Sequence, residues 1–175
     1  MRTSATKESR QPGEHVVYLG LGSNLGDRDG MLRVALTALA EVARITLVSS
    51  VWDTAPMLVE DQPRFHNIVV QALTSLNPLP LLHEINRIER ALGREAGPRY
   101  GPRLIDIDIL LYDDLTLTTP ELTIPHKRLA ERAFALEPLA EIAPDVRHPV
   151  LGLDARTLAA QTLASDVRRL GPLLS

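Results

Sequence analysis

Hydrophobic positions along the chain form short apolar runs and longer stretches with helical spacing, separated by polar turns. The short runs are closed by glycine, proline or acidic pairs, and they predict strands over 15–22, 45–54, 67–76 and 104–112, with a hairpin partner for the last strand at 115–118. Apolar residues three and four positions apart predict helices over 28–43, 78–92, 129–142 and 154–170.

This order of elements predicts an α+β fold of the ferredoxin-like βαββαβ type, with an antiparallel sheet. We expect the helices to pack on one face of that sheet, and the extra C-terminal elements to contribute packing rather than chemistry. Residues 1–14 are polar and predict an N-terminal tail, which leaves a single domain over 15–175. Two irregular loops, 55–66 and 94–103, are longer than most connections, and long ordered loops often carry function.

The composition excludes several classes of protein. Because there is no cysteine, disulfide scaffolds, zinc–thiolate sites and cysteine nucleophiles are ruled out. The net charge of −3 argues against a general binder of nucleic acid or anionic membranes. No apolar run approaches the roughly 18 residues of a membrane helix, and the N-terminus lacks the apolar segment of a secretory signal. We therefore expect a soluble, cytoplasmic protein with no nucleic-acid or membrane partner.

The predicted strand 104–112 alternates isoleucine with aspartate. This pattern places Ile105, Ile107 and Ile109 on one face, and it places Asp106 and Asp108 on the other. Residues two apart on a strand are separated by about 6.6 Å, so both carboxylates can approach one cation or a close pair of cations. Hard oxygen ligands suit Mg²⁺, which recruits water and substrate phosphates for its remaining positions. An ordinary solvated acidic face is the alternative, since short motifs of this kind often occur by chance.

Three arginines precede the acidic strand and favour the metal interpretation. Arg94, Arg99 and Arg103 lie in a loop that contains glycine and proline, directly before the two aspartates. Neighbouring carboxylates repel each other and aspartate is a poor strand former, so the pair has a cost that a bound cation would offset. Arginines beside such a pair are suited to hold and neutralise a polyphosphate. The segment therefore indicates phosphoryl or nucleotidyl transfer.

Four segments of the chain match a known family in the same order: VYLGLGSNLGDR, DTAPM with EDQPRFHN, GR with RYGPRLIDIDILLY, and LTIPHKRLAERAFALEPLAEIAPD. Together they resemble the 6-hydroxymethyl-7,8-dihydropterin pyrophosphokinases of folate biosynthesis, from about Val16 to Asp145. The resemblance implies transfer of pyrophosphate from MgATP to the hydroxymethyl group of the pterin, with release of AMP. It also implies two Mg²⁺ ions as cofactors, ATP as co-substrate and neighbouring folate-pathway enzymes as candidate partners.

The resemblance further implies roles for individual residues. It makes Asp106 and Asp108 the ligands of the two Mg²⁺ ions. The catalytic residues that it implies are these two aspartates together with Arg94 and Arg103. The positions implied to contact ATP are Asn86, Glu89, Arg99, Tyr100, Arg103, Thr123, His126 and Arg132. The positions implied to line the pterin site are Gly22, Thr54, Ala55, Met57, Phe65, Asn67 and Phe134.

The phenylalanine content of the chain bears on the pterin site. Phe65 and Phe134 are the only phenylalanines of the chain, and two aromatic faces suit a flat heteroaromatic ring. An ordinary core position is the alternative for a phenylalanine.

Three residues depart from the family pattern, and all three bear on contacts to ATP. Tyr100 stands where many bacterial members have tryptophan, Glu121 where some relatives have a basic residue, and Lys127 where an aromatic or proline is common.

Two other function classes stay open. A non-catalytic ferredoxin-like module that binds RNA would need exposed strand aromatics and a basic face, and neither is evident. A related nucleotidyl transferase would use similar carboxylates but would release pyrophosphate instead of AMP.

The glycines of the segment 20–26, GLGSNLG, miss the spacing of a dinucleotide-binding loop, and we interpret them as a tight turn that lets substrate approach the backbone.

Overall fold

The computed structural model describes residues 10–56, 61–93, 104–162 and 166–174. The strands are β1 (His15–Ser23), β2 (Arg44–Val48), β3 (Ser50–Thr54), β4 (Phe65–Thr74), β5 (Asp106–Tyr112), β6 (Leu117–Thr118), β7 (Thr123–Ile124) and β8 (Val167–Pro172). The helices are α1 (Arg28–Leu39), α2 (Pro78–Ala91), α3 (Ala133–Ile142) and α4 (Ala155–Gln161), with a single 3₁₀ turn at Leu129–Glu131. Within these ranges, no helix combines the length and the apolar character needed to cross a membrane.

One antiparallel sheet organises the structure. Its strand order is β5-β1-β4-β3-β8, and β2 pairs with β4 beside β3. The central strands β1 and β4 are paired over nine positions, from His15 opposite Thr74 to Ser23 opposite His66. The arrangement confirms the predicted α+β, ferredoxin-like antiparallel fold.

Both faces of the sheet are covered by helices, which corrects the prediction that helices pack on one face only. On the first face, Leu19 of β1 packs with Leu32 of α1 and Ile85 of α2. On the second face, Val69 of β4 packs with Leu136 of α3. Successive residues of β1 and β4 are buried, so each strand has apolar side chains on both faces, and both faces require cover.

The predicted strand 45–54 is divided at Ser49 into β2 and β3. The backbone N–H of Ser49 donates to the carbonyl of Val69 at 2.9 Å, and the Ser49 hydroxyl accepts from the N–H of Val69 at 2.9 Å. The side chain therefore takes the place of a backbone acceptor and allows the strand to bend while it stays paired with β4.

The predicted hairpin between 104–112 and 115–118 is wrong, because β6 pairs with β7 instead of β5. The turn after β5 is tied to β1: the Asp113 carboxylate accepts from the N–H of Val16 at 2.8 Å and lies 2.7 Å from Nδ1 of His15. These bonds hold the turn at the edge of β1, and the chain then leaves the sheet.

The C-terminal prediction of one helix over 154–170 is also wrong. In the described part of this segment only Ala155–Gln161 is helical, and Val167–Pro172 forms β8. Strand β3 pairs with β8 from Thr54 opposite Val167 to Ser50 opposite Pro172, and this pairing with a distant part of the chain holds β8 extended. The helical stretch predicted over 129–142 is likewise interrupted at Arg132, which has an extended backbone between the 3₁₀ turn and α3.

The N-terminal boundary predicted at residue 15 coincides with the first residue of β1. Before it, Glu14 accepts from the backbone of Gln11 at 2.8 Å and pairs with Arg44 of β2 at 3.2 Å. The division of the chain into a tail, 1–14, and a single domain, 15–175, stays a prediction.

Candidate active site

A cavity of about 290 Å³ lies on the face of the sheet that α3 covers. It is bordered by β1, β4 and β5, by the end of β3, and by the segment that connects β7 to α3. The sequence-predicted residues that line it are Gly22, Thr54, Ala55, Phe65, Asn67, Asp106, Asp108, His126, Arg132 and Phe134. Ten of the predicted positions therefore meet at one place, although they come from five separate segments of the chain.

Two glycines of β1 form the floor of this cavity. Gly22 pairs with Asp106 of β5 on one side and with Asn67 of β4 on the other, and Gly20 pairs with Asp108. A Cβ atom on Gly22 would lie only 2.5 Å from Oδ1 of Asn67. The glycine is required for this close approach rather than for an unusual backbone angle.

One end of the cavity combines two aromatic rings with a buried polar pair. Asn67 and Thr54 are both buried, and the Asn67 amide nitrogen donates to the Thr54 hydroxyl at 2.7 Å. Phe65 is paired with Thr54 across β3 and β4, so its ring is held beside this pair. Phe134, near the start of α3, supplies a second half-buried ring. Flat rings with hydrogen-bonding edges fit such a pocket.

The other end carries the acidic pair. Ile105, Ile107 and Ile109 are all buried in the core on the opposite face, which confirms the predicted alternation of the strand. Asp106 and Asp108 consequently line the cavity. Within the described ranges, no group of three or more acidic or histidine side chains is placed to hold a metal ion. Two carboxylates that share one cavity fit a Mg²⁺ ion that completes its coordination with water and phosphate oxygens.

Arg132 connects the two ends. Its Nη1 lies 3.5 Å from Oδ2 of Asp108, and its guanidinium carbon is 5.4 Å from the centre of the Phe134 ring. The Nε of Arg132 is buried and has no hydrogen-bond partner in the part of the chain that the structure describes. A buried N–H of this kind is costly unless a ligand accepts from it. Arg132 is therefore suited to meet an anionic group in the cavity.

His126 lines the same cavity as the acidic pair and is a neutral hydrogen-bond donor. Its backbone N–H donates to the carbonyl of Leu110 at 3.0 Å, and its Nδ1 accepts from the N–H of Arg128 at 3.2 Å. Burial, helped by the charge of Arg132, lowers the pKa of His126 to about 4, although Asp106 opposes the shift. Because Nδ1 accepts a bond, the proton of the neutral ring is on Nε2.

Two basic residues that are not among the predicted site residues also line the cavity. Lys127 departs from the family pattern, and Arg128 follows it directly in the chain. Arg128 also pairs with Glu131 at 3.3 Å. The consecutive basic residues after His126 were the available signal, but a charge run in a loop is more often a solvated surface.

Other predicted residues lie elsewhere. Asn86, Glu89 and Thr123 are not among the residues that line the cavity, and their contacts with ATP stay predictions. Glu89 is buried on α2, and its carboxylate accepts from the N–H of Ile107 at 3.1 Å. Glu89 therefore anchors the backbone of β5 between the two aspartates. The predicted residues outside the described ranges are Met57, Arg94, Arg99, Tyr100 and Arg103.

Comparison with known proteins shows the family to which this chain belongs. The family described as 7,8-dihydro-6-hydroxymethylpterin-pyrophosphokinase matches residues 18–144. The 2-amino-4-hydroxy-6-hydroxymethyldihydropteridine pyrophosphokinase of Bacillus subtilis is 46% identical over 134 residues, which is 75% of this chain and 80% of that protein. Its counterpart from Aquifex aeolicus is 45% identical over 134 residues, covering 77% and 84% of the two chains.

Longer proteins contain the same unit. The mitochondrial folate synthesis bifunctional protein of Arabidopsis thaliana is 45% identical over 141 residues, covering 80% of this chain but 25% of its own length. A crystal structure of Plasmodium falciparum HPPK-DHPS superimposes with a TM-score of 0.70 at 16% identity, covering 90% of this chain and 46% of the other. That second likeness supports the fold alone.

The chain belongs to the 7,8-dihydro-6-hydroxymethylpterin-pyrophosphokinase family. Members of this family are ATP-dependent diphosphotransferases, and the chain is an enzyme of that class.

The pKa of His126 gives a prediction for the metal-free protein. We expect its imidazole to remain neutral from pH 8 to pH 5.5, with the proton on Nε2 and a pKa of about 4. Since the unfolded chain takes up a proton near pH 6.5, this residue lowers the stability of the fold as the pH falls from about 6.5 to about 4, and it has no such effect above pH 7. Two-dimensional ¹⁵N spectra of the histidine rings, assigned with His126→Gln, measure both the tautomer and the pKa. A midpoint near 6.5 would contradict the prediction.

Proposed function

We propose that the cavity of about 290 Å³ is where this enzyme transfers pyrophosphate from ATP to the hydroxymethyl group of 6-hydroxymethyl-7,8-dihydropterin, releasing AMP. The observation that carries this location is the meeting of the Asp106 and Asp108 carboxylates with the Phe65 and Phe134 rings in one cavity. A phosphate-binding end and an aromatic end within one space allow the two substrates to react directly.

The pterin is proposed to occupy the aromatic end. Phe65 and Phe134 offer their faces to the ring, while Asn67 reads its edge. The amide nitrogen of Asn67 is already committed to Thr54, which fixes the orientation of the side chain and leaves Oδ1 to accept from ring N–H groups. This arrangement selects a flat ring with donors along one edge.

The triphosphate is proposed to occupy the acidic end. Asp106 and Asp108 would hold two Mg²⁺ ions there, and when bound the ions supply Lewis-acid stabilisation of the charge on the phosphoryl groups. The chain itself offers the Nε2 proton of His126 and the charges of Arg128 and Arg132 to phosphate oxygens. These donors are held in place before the substrate arrives, which is the arrangement that stabilises developing charge most effectively.

The reaction then depends on position. The hydroxymethyl oxygen of the pterin forms a bond to the β-phosphorus, and the bond from that phosphorus to the oxygen bridging the α- and β-phosphates breaks. AMP leaves with the electron pair of the broken bond, and the hydroxyl proton is released to water. Phosphoryl transfer through a loose transition state requires alignment and charge stabilisation more than a strong general base. Asn67 and the two phenylalanine rings provide the alignment, and Arg132 spans the space between the two substrates.

The relatives also support a proposal about partners. The Arabidopsis thaliana relative is named as a bifunctional folate synthesis protein, and the Plasmodium falciparum structures join HPPK to DHPS. We propose that this chain works beside a second enzyme of folate synthesis. A cytoplasmic location and the absence of nucleic-acid partners remain expectations.

Analysis of the adenine nucleotides formed from MgATP tests the reaction and the acidic pair together. We expect one AMP for each pterin diphosphate, formed only when the dihydropterin is present; release of pyrophosphate would favour a nucleotidyl transferase. Asp106→Asn and Asp108→Asn should each lower turnover about a thousandfold or more, because several kcal/mol of charge stabilisation are lost. Asp114→Asn, an exposed acid of the turn beyond the same strand, is the matched control and should retain full activity. Normal turnover by either site variant would contradict the proposed metal ligands.

The glycine floor gives a second prediction. In Gly22→Ala the new methyl group must displace Oδ1 of Asn67, which lies 2.5 Å from its position. We expect the KM for the dihydropterin to rise about tenfold or more, the effect of losing one good hydrogen bond, while the KM for ATP changes less than about twofold. Gly20→Ala is the matched control, because its Cβ meets only the side chain of Leu110, at 3.4 Å. A wild-type KM for the pterin in Gly22→Ala would contradict the proposed position of Asn67.

A further inference from the structure

We propose that the C-terminal strand β8 positions the aromatic end of the cavity through an ion pair between Asp166 and Arg64. This inference rests on the proposed location of the pterin. The family match covers residues 18–144, and β8 follows that range in the chain. Asp166 is a positioning residue in this proposal and does not itself contact the reacting groups.

The backbone at the start of β8 holds one wall of the cavity directly. Thr54 pairs with Val167, and the N–H of the next residue, Ala55, donates to the carbonyl of Asp166 at 3.0 Å. Thr54 and Ala55 both line the cavity, and Thr54 also accepts the bond that orients Asn67. The pairing with β8 therefore continues up to the residues that border the proposed pterin pocket.

The side chain of Asp166 holds a second wall through Arg64. Arg64 Nη1 donates to Oδ2 of Asp166 at 2.6 Å, and Nη2 donates to Oδ1 at 3.2 Å, so the carboxylate receives two parallel bonds. The Nε of the same guanidinium donates to Oδ2 of the buried Asp53 at 2.9 Å. Hydrogen bonding from Arg64 lowers the pKa of Asp166, which remains charged across the physiological range.

Arg64 is next to Phe65 in the chain, and this makes the ion pair relevant to the pocket. The carbonyl of Arg64 accepts from Nη1 of Arg28 at 2.8 Å, so its backbone is held from the α1 side as well. With both its side chain and its carbonyl fixed, Arg64 leaves little freedom for the backbone that carries the Phe65 ring. Bidentate arginine–carboxylate pairs give this kind of geometric definition.

A second, smaller cavity links β8 to the same residues. It measures about 160 Å³, and Asp166 and Val167 are among the residues that line it. It shares four lining residues with the main cavity: Thr54, Ala55, Arg132 and Phe134. The start of β8 therefore lies near both phenylalanine rings. Asp166 bonds Arg64, which precedes Phe65, and Asp166 and Val167 line the same small cavity as Phe134. Loss of the ion pair should loosen the ring pocket without removing any group that the phosphates use.

The kinetics of Asp166→Asn test the proposal. Replacing the carboxylate by an amide weakens two charge-assisted bonds, and we expect the KM for the dihydropterin to rise about fivefold or more. We expect kcat and the KM for ATP to stay within about twofold of the wild-type values. Asp145→Asn is the matched control, since Asp145 is an exposed aspartate with one arginine partner, Arg156, at 3.3 Å, and it does not line the cavity. It should leave all three constants unchanged.

Two further variants separate positioning from a purely structural role. Arg64→Lys retains the charge but lacks the planar fork that gives Asp166 two parallel bonds while Nε bonds Asp53. It should therefore show the same rise in the KM for the pterin, and the double variant should add little to that rise. Fluorescence of the single Trp52, which pairs with Arg169 of β8 and Asn67 of β4, reports whether β3 remains folded in each variant.

The outcomes distinguish this inference from the proposed function. Wild-type protein that forms no pterin diphosphate would overturn both. An active wild type with unchanged KM for the pterin in Asp166→Asn and Arg64→Lys would overturn the inference alone. An equal fall in kcat/KM for the two substrates that follows a loss of stability would also overturn it. A selective rise in the KM for the pterin, with folded variants and a silent Asp145→Asn, supports it.

Discussion

The absence of a side chain at Gly22 is the constraint on which the rest of the site depends. Strand β1 runs between β4 and β5, and a Cβ atom on Gly22 would lie 2.5 Å from Oδ1 of Asn67, in the space between that amide and the acidic pair. With hydrogen there, residues from both neighbouring strands face one cavity, and substrate can approach the backbone closely. The hydrogen bonds of the sheet fix the strands on either side. The distance between the two ends of the cavity is therefore set by strand spacing.

The other face of the same strand explains how β5 can carry two aspartates. Ile105, Ile107 and Ile109 are buried against α1 and α2, and each contributes roughly 1.5–3 kcal/mol by leaving water. The buried Glu89 holds the backbone of the strand from the same side. This burial keeps β5 in register although the Asp106 and Asp108 carboxylates on its other face repel each other when no cation is bound. Packing on one face thus offsets the cost of function on the other.

The parts of this structure that follow local periodicity could be predicted from the sequence, and the parts that depend on distant pairing could not. The alternation of β5 has a period of two, and the family resemblance placed His126, Phe65 and Phe134 at positions that the fold brings to one cavity. The C-terminal strand was predicted as a helix because its apolar spacing is ambiguous, and only its pairing with β3 decides the conformation. Likewise, no local pattern links Arg64 with Asp166, which are 102 residues apart.

We propose that one cavity holds the phosphates at Asp106 and Asp108 and the pterin between two phenylalanine rings. The most direct measurement is a crystal structure of the protein with Mn²⁺, a non-hydrolysable ATP analogue and the dihydropterin, with anomalous data collected for manganese. We expect two anomalous peaks bound by Asp106 and Asp108, and a pterin ring stacked between Phe65 and Phe134. Manganese bound elsewhere, or a pterin outside this cavity, would contradict it.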